Sequence, residues 1–220
     1  MPMAEAFVRQ MNRTLTRVVP PCGSSFKGVR NSLISELSFR LYSKICNDEI
    51  SLSDLLSDSA LINLTADDVC RYISRLERSE VALPKMIAGE INEAVALAKN
   101  LKNCMTYTNP GKSIITRPHF IGCGIVDNCE GDILVGTTLY ELKNVERDFR
   151  LTDIRQLLTY CALNTASGRR DIDTVGLINA RSGLSYKMNV NKLSFLVAGV
   201  SSDELFGDVI RYITADSPSR

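Results

Sequence analysis

Apolar residues along this chain follow two rhythms, and the change from one to the other falls near Tyr107. Before that point the spacing is helical. Residues 4–17 predict a helix closed by Val18-Val19-Pro20-Pro21, since a proline lacks the amide a helix needs and biases the residue before it toward extended backbone. Leu33, Ile34, Leu37, Leu41 and Ile45 recur at three- and four-residue intervals and predict a second helix over 29–45. Further helices are expected over 51–56 and 65–76, the latter capped by Thr65 with Asp67 and Asp68 in its first turn. Pro84 opens a longer one to residue 103, with Met86, Ile87, Ile91, Ala94, Val95 and Ala98 as its apolar stripe.

After the turn Thr108-Asn109-Pro110-Gly111 the runs become short and rich in β-formers, predicting strands over 113–116, 120–126, 131–135 and 138–143. A helix follows over 153–165, capped by Thr152. It buries Ile154, Leu157, Leu158, Cys161 and Ala162. Then come a strand over 174–179, a hairpin of 184–190 and 193–198 turning near Asn191, and a last helix over 201–213 begun by a Ser201/Glu204 capping box. Helix, three strands, helix, strand, hairpin and helix make an α/β fold layered on a mixed sheet, preceded by a helical N-terminal region.

Composition changes this picture little. A chain of 220 residues that is 45% hydrophobic and 23% charged can bury one sizeable core. No apolar run is long enough to span a bilayer, and the first residues lack the apolar centre of a secretory signal, so no membrane partner and a cytoplasmic location are expected. Seven scattered cysteines without a C-x-x-C pair suit free thiols in a reducing compartment, and a single histidine argues against structural zinc. The net charge of +1 makes no case for wholesale nucleic-acid binding. Its distribution is uneven. Arg9, Arg13, Arg17, Lys27, Arg30, Arg40 and Lys44 form a basic run, while the charges between 48 and 68 are all acidic. Solvated helix faces would account for both runs.

Candidate chemistry concentrates in residues 131–143, GDILVGTTLYELK. With Gly136 and Thr137 at the centre of a tight hairpin, the opposed pairs are Val135/Thr138, Leu134/Leu139, Ile133/Tyr140 and Asp132/Glu141. Opposed residues share a face, and Lys143 joins that face two positions beyond Glu141. Two carboxylates and an ammonium group thus converge at one end of an apolar ribbon. Phosphodiester hydrolysis calls for such a set: hard oxygen ligands for Mg²⁺, and a cation to orient water and offset developing charge. A lone Glu-x-Lys would more simply be a solvated strand face. Gln156 and Tyr160, four apart on the next helix, share a face that could reach the same site. Asp127 offers either a further ligand or a turn with Asn128. A thiol hydrolase using Cys123 or Cys161 would need His119 within reach, and Gly122-Cys123-Gly124 lacks the lysine of a phosphate loop.

Asp132, then Glu141-Leu142-Lys143, then the helix with Gln156 and Tyr160 resembles the PD-(D/E)xK nuclease superfamily. The Gln-x-x-x-Tyr spacing in TDIRQLLTYCAL is similar to its RecB-like branch, and GCGIVDNCEGDILVGTTLYELK resembles small bacterial proteins of this type, some associated with phage defence. The resemblance covers residues 85–213. It implies a restriction-endonuclease-like α-β-β-β-α-β core within 83–220, with residues 1–82 left for substrate, dimer or partner contacts. It also implies Mg²⁺, with Mn²⁺ as a substitute, held by Asp132, Glu141 and the carbonyl of Leu142. Catalysis would fall to Asp132, Glu141, Lys143, Gln156 and Tyr160. The family often adds an acid from the preceding helix, for which Glu90 is the first match and Glu93 the second. The expected function is metal-dependent cleavage of nucleic acid, DNA before RNA and internal before terminal, in defence or DNA processing. A homodimer or a defence-system protein is the expected partner. The alternative is a non-catalytic subunit that keeps the fold to bind nucleic acid or a partner.

Overall fold

In the computed structural model of the chain, which describes residues 2–23, 30–47, 50–77 and 83–215, the change of rhythm near Tyr107 is a change of layer. Helices α1 (Pro2–Arg13), α2 (Asn31–Asn47), α3 (Leu52–Ser57), α4 (Ser59–Leu76) and α5 (Ala88–Thr108) come first, interrupted by the short strand β1 (Thr16–Arg17). Strands β2 (Ile115–Thr116), β3 (His119–Phe120), β4 (Cys129–Glu130), β5 (Ile133–Val135) and β6 (Thr138–Lys143) precede α6 (Leu151–Ala166). The chain closes with β7 (Thr174–Asn179), β8 (Leu184–Asn189), α7 (Val190–Ala198) and α8 (Ser202–Ala215). Six strands form one mixed sheet in the order β1-β8-β7-β6-β5-β2, and β3 pairs with β4 apart from it. Among the described residues only β6 and β7 run parallel, joined through α6 in a β-α-β unit. The class is therefore α/β. No helix among the described residues is long and apolar enough to cross a membrane.

Hairpin register decides which residues meet which layer. Gly136 has a φ of 57°, and the observed pairs are Val135↔Thr138, Leu134↔Leu139 and Ile133↔Tyr140, as the sequence predicts. Leu139 faces a core shared with α1, α6, α7 and α8, whereas Ile133 and Tyr140 face α2 and α5. A slip of one residue would exchange these sets and expose apolar surface on both sides. A third cluster lies away from the sheet, among α2, α3, α4 and the first half of α5. The side chain of Asn12 on α1 donates to the Phe149 carbonyl at 2.9 Å and accepts from its amide at 3.1 Å, tying α1 to the connection before α6.

Gly176 on β7 is a packing requirement. A Cβ there would lie 2.3 Å from Tyr140 Cδ1, and Tyr140 is fully buried with its hydroxyl 3.2 Å from Asn109 Oδ1. Gly176→Ala should cost about 1–3 kcal/mol through overpacking. The urea midpoint measures this, and an unchanged midpoint would mean the Tyr140 ring yields freely.

Several local expectations are corrected. The first helix ends at Arg13, since Thr16 and Arg17 pair with β8 as a strand. Position 29, the expected start of the second helix, and Lys27 of the basic run lie outside the described residues. Thr65 does not start α4. Asp58 Oδ1 accepts from Leu61 N at 2.8 Å, and Thr65 is buried mid-helix with its hydroxyl on the Leu61 carbonyl. The fifth helix begins at Ala88 rather than at Pro84 and extends five residues beyond 103. Thr152 is not the cap of α6, because Asp153 accepts from the Arg150 amide at 2.8 Å and draws the start back to Leu151. The span 120–126 is strand only at Phe120; Val126 N donates to Cys123 O and closes a turn there. Finally, 193–198 is helix α7. Asn189 accepts from the amides of Asn191 and Lys192, and Val190, Leu193 and Val197 recur at helical spacing on its buried side.

Candidate active site

The site forms where the β5–β6 ladder stops. In an antiparallel ladder the pair after Asp132/Glu141 would be Gly131/Leu142, exchanging two backbone bonds. Neither bond forms. Gly131 N donates to Pro118 O at 2.9 Å, and Leu142 N donates to Asp132 Oδ2 at 2.7 Å. The strands splay one pair early, and Asp132 closes the gap with its side chain. Within a strand the amide and carbonyl of one residue point to the same side, so the Leu142 carbonyl faces the opening beside Asp132. Gly131 permits the divergence: a Cβ there would lie 3.0 Å from the Phe120 ring.

Glu141 projects from the sheet face covered by α6 and is buried. Lys143 Nζ donates to Glu141 Oε1 at 2.7 Å and to Gln156 Oε1 at 3.3 Å, and it lies 3.6 Å from Asp153 Oδ1. Gln156 Nε2 in turn donates to the Tyr160 hydroxyl at 2.9 Å, and the Tyr160 ring stacks on Phe120 with centroids 5.1 Å apart. The chain Glu141–Lys143–Gln156–Tyr160 therefore joins strand β6 to helix α6. Asp132 and Glu141 are electrostatic neighbours, the Asp132 charge acting directly on the Glu141 carboxyl. Glu141 Oε2 is buried with no hydrogen-bond partner.

These positions have electrostatic consequences. Burial, and then the Asp132 charge, push the Glu141 carboxyl up to about 8 against the pull of Lys143. Asp132 is raised as well, chiefly by desolvation, against the Leu142 amide and the Lys143 charge. For Lys143 burial works downward, but Glu141, Asp153 and Asp132 outweigh it and the ammonium is held above its ordinary range. Asp153 moves below its usual range. Burial opposes that shift, but Arg147, the Arg150 amide and Lys143 prevail. Burial pushes the Tyr160 hydroxyl up to about 12, so it remains a neutral hydrogen-bonding phenol.

Of the residues singled out from sequence, Asp132, Glu141, Leu142, Lys143, Gln156 and Tyr160 are brought together. Glu90 is not among them. Its carboxylate lies in the first turn of α5, accepting from Arg30 Nε at 2.9 Å and from the Ile87 amide at 3.1 Å. Glu93 pairs at 2.7 Å with buried Arg181, whose Nε donates to the carbonyl of Asn144, next in chain to Lys143. Asp127 is exposed, and neighbouring Asn128 accepts from Gly122 N, which is turn geometry. His119 is exposed. Cys161 is buried, and burial pushes its thiol up to about 12, a poor setting for a nucleophile. All seven cysteines are free. Sequence reasoning missed Asp153 and Arg117. Asp153 stood in the sequence only as the first residue of the expected helix, and nothing local marked Arg117.

Among the described residues there is no group of three or more His, Cys, Asp and Glu side chains that could hold a metal ion. What the site offers is two carboxylates and a backbone carbonyl, all hard oxygens, with one buried carboxylate oxygen unpartnered. Few protein ligands, completed by water, suit Mg²⁺ better than zinc. No protein-family model matches this chain, and no curated protein matches it significantly.

Proposed function

We propose that this protein is a metal-dependent nuclease of the PD-(D/E)xK type that hydrolyses phosphodiester bonds, with DNA as the expected substrate and cleavage within the strand, in bacterial anti-phage defence or DNA processing. One observation carries the reading: buried Glu141 stands in the field of the half-buried Asp132 carboxylate, Glu141 Oε2 has no partner, and Lys143 is fixed beside them by α6. Two such carboxylates repel when both ionise. A cation relieves that cost, and the hard oxygen donors match Mg²⁺. The order α5, β2, β5, β6, α6, β7, with the first three strands antiparallel and the fourth parallel to the third, supports the same reading.

Asp132, Glu141 and the Leu142 carbonyl would hold the ion. Bound there, Mg²⁺ would polarise the phosphate and make its coordinated water more acidic. The Lys143 ammonium, with Gln156 Oε1 and Glu141 Oε1 as acceptors, can orient the attacking water and offset charge that develops on the phosphoryl oxygens. Gln156 and Tyr160 set the Lys143 head group, because Tyr160 fixes Gln156 and Gln156 faces the ammonium. Asp153 is braced by Arg147 at 3.0 Å and completes the cradle from the side of α6.

Incubation with supercoiled plasmid and Mg²⁺ should yield nicked and linear forms, and a chelator should abolish this. Failure to cut circular DNA, linear DNA and RNA in either Mg²⁺ or Mn²⁺ would sink the proposal and leave a binding subunit that retains the fold.

A further inference from the structure

Antiparallel helices α2 and α4 enclose a groove that ends at Asp132 and Lys143. Its inner basin, a cavity of about 330 Å³, is lined by Ser35, Glu36 and Phe39 of α2, Tyr72 of α4, and Asp132 and Lys143 of the site. The outer basin, about 390 Å³, lies further along the same two helices, among Arg40, Lys44, Asn47, Thr65 and Asp68, with Arg117 beside them. Ser32 to Asn47 advances about 22 Å along α2 at the helical rise. At the junction of the basins sit two guanidinium groups on one carboxylate oxygen. Arg40 Nε donates to Glu36 Oε1 at 2.6 Å and Arg117 Nη2 donates to it at 2.8 Å. Both groups lie over aromatic rings, Arg40 4.8 Å from the Tyr72 centroid and Arg117 5.1 Å from that of Phe39.

Arg117 also stands in an uncommon backbone conformation, with a φ of 53°. A bulky residue in that region costs about 1 kcal/mol or more and persists only where its surroundings hold it. Here the Arg117 amide donates to the Asp132 carbonyl at 2.9 Å, so the residue that lines the groove is bonded to the residue that begins the site. Planar guanidiniums set over aromatic rings and bridged by one anion form a ready receptor for a phosphate.

We propose that the α2–α4 groove seats the sugar–phosphate backbone of the nucleic-acid strand that enters the site, and that Arg40 and Arg117 exchange the Glu36 carboxylate for its phosphates, with Lys44 contacting the strand further out. The inference rests on the nuclease reading and extends it by assigning the substrate path. Part of the basic run in the N-terminal sequence thereby acquires a role. Glu36 occupies the receptor until a strand displaces it.

The test is binding, measured apart from cleavage. Fluorescence anisotropy would follow labelled single-stranded DNA, duplex DNA and RNA of one sequence on the full chain, with Ca²⁺ in place of Mg²⁺, across a salt series. The double variant Arg40→Gln/Lys44→Gln should weaken binding and flatten the slope of log affinity against log salt by about 1.5, two phosphate contacts' worth. Glu36→Gln should tighten binding by about threefold or more, because it removes the competing charge. A merely structural Glu36 would instead weaken binding or leave it alone. The double variant Lys187→Gln/Lys192→Gln removes the same charge from exposed positions on β8 and α7 and serves as the control. Groove variants that behave as this control, or a parent that binds none of the three nucleic acids, overturn the proposal. A parent that cuts DNA while its groove variants bind unchanged sinks the groove alone. Groove-dependent binding by a parent that never cuts supports the groove and sinks hydrolysis.

Discussion

Glu141→Gln should lower Mg²⁺-dependent cleavage by about a thousandfold while leaving the protein folded and, near pH 8, more stable than the parent. Activity and stability move in opposite directions because the same charge serves one and strains the other. Glu141 is buried beside Asp132, within the field of Asp153, and one of its oxygens has no partner. An amide of the same shape ends the repulsion but supplies a poorer metal ligand. Lys143→Ala should lose cleavage to a similar extent, and without the stability gain, since it strips Glu141 and Gln156 of their shared donor. Plasmid cleavage with parallel thermal melts reads both variants. A Glu141→Gln protein that cuts as well as the parent would refute the site, and one that melts well below the parent would refute the strain.

The second large effect is in the pH dependence of the metal-free protein. Glu141 rises from 4.5 to about 8 on folding, so between those values the native state holds a proton that the unfolded state has released. Stability must then fall as pH rises through this window, by roughly 5 kcal/mol, and level off above it. Asp132, raised by the same burial, adds to the fall. Asp153, lowered on folding, contributes stability that disappears only on acidification, and Lys143, raised on folding, changes only in the alkaline range. Mg²⁺ should therefore raise the melting temperature strongly at pH 8 and little at pH 5, where protons already neutralise the pair. Binding should release protons, measurable as a buffer-dependent heat. In Glu141→Gln most of the fall between pH 4.5 and 8 should vanish. A parent whose melting temperature is flat over that range, or a Mg²⁺ effect equal at both pH values, would contradict the assignment.

The hairpin was legible because its constraints are local. Gly136 at the turn and the alternation of Leu134, Leu139 and Tyr140 allow one register that buries both faces, and that register puts Asp132 opposite Glu141. The stripe of α6 was equally plain, and with it the placing of Gln156 and Tyr160. Less was legible where a side chain's partner is remote in sequence. Val190 to Ala198 has the apolar content of a strand, and only the Asn189 cap and the packing of Leu193 and Val197 make it a helix. Thr65 had the chemistry of a cap, but Asp58 lies where the turn begins. Glu90 and Glu93 were the first and second matches to the family pattern by position. Their fates depend on Arg30 and Arg181, 60 and 88 residues away in the chain respectively.

By itself the sequence determined the α/β class, the hairpin register and the identity of the charged trio, because period-two alternation and turn chemistry act between near neighbours. The end of the ladder was decided only in three dimensions. Pro118 takes the Gly131 amide, Asp132 takes the Leu142 amide, and the carbonyl between the carboxylates is left facing the cleft. The groove of α2 and α4, and the meeting of Arg40 with Arg117 on Glu36, likewise exist only in the folded chain. Contacts across 77 and 81 residues are set by how whole layers pack, and no short stretch of sequence encodes that packing.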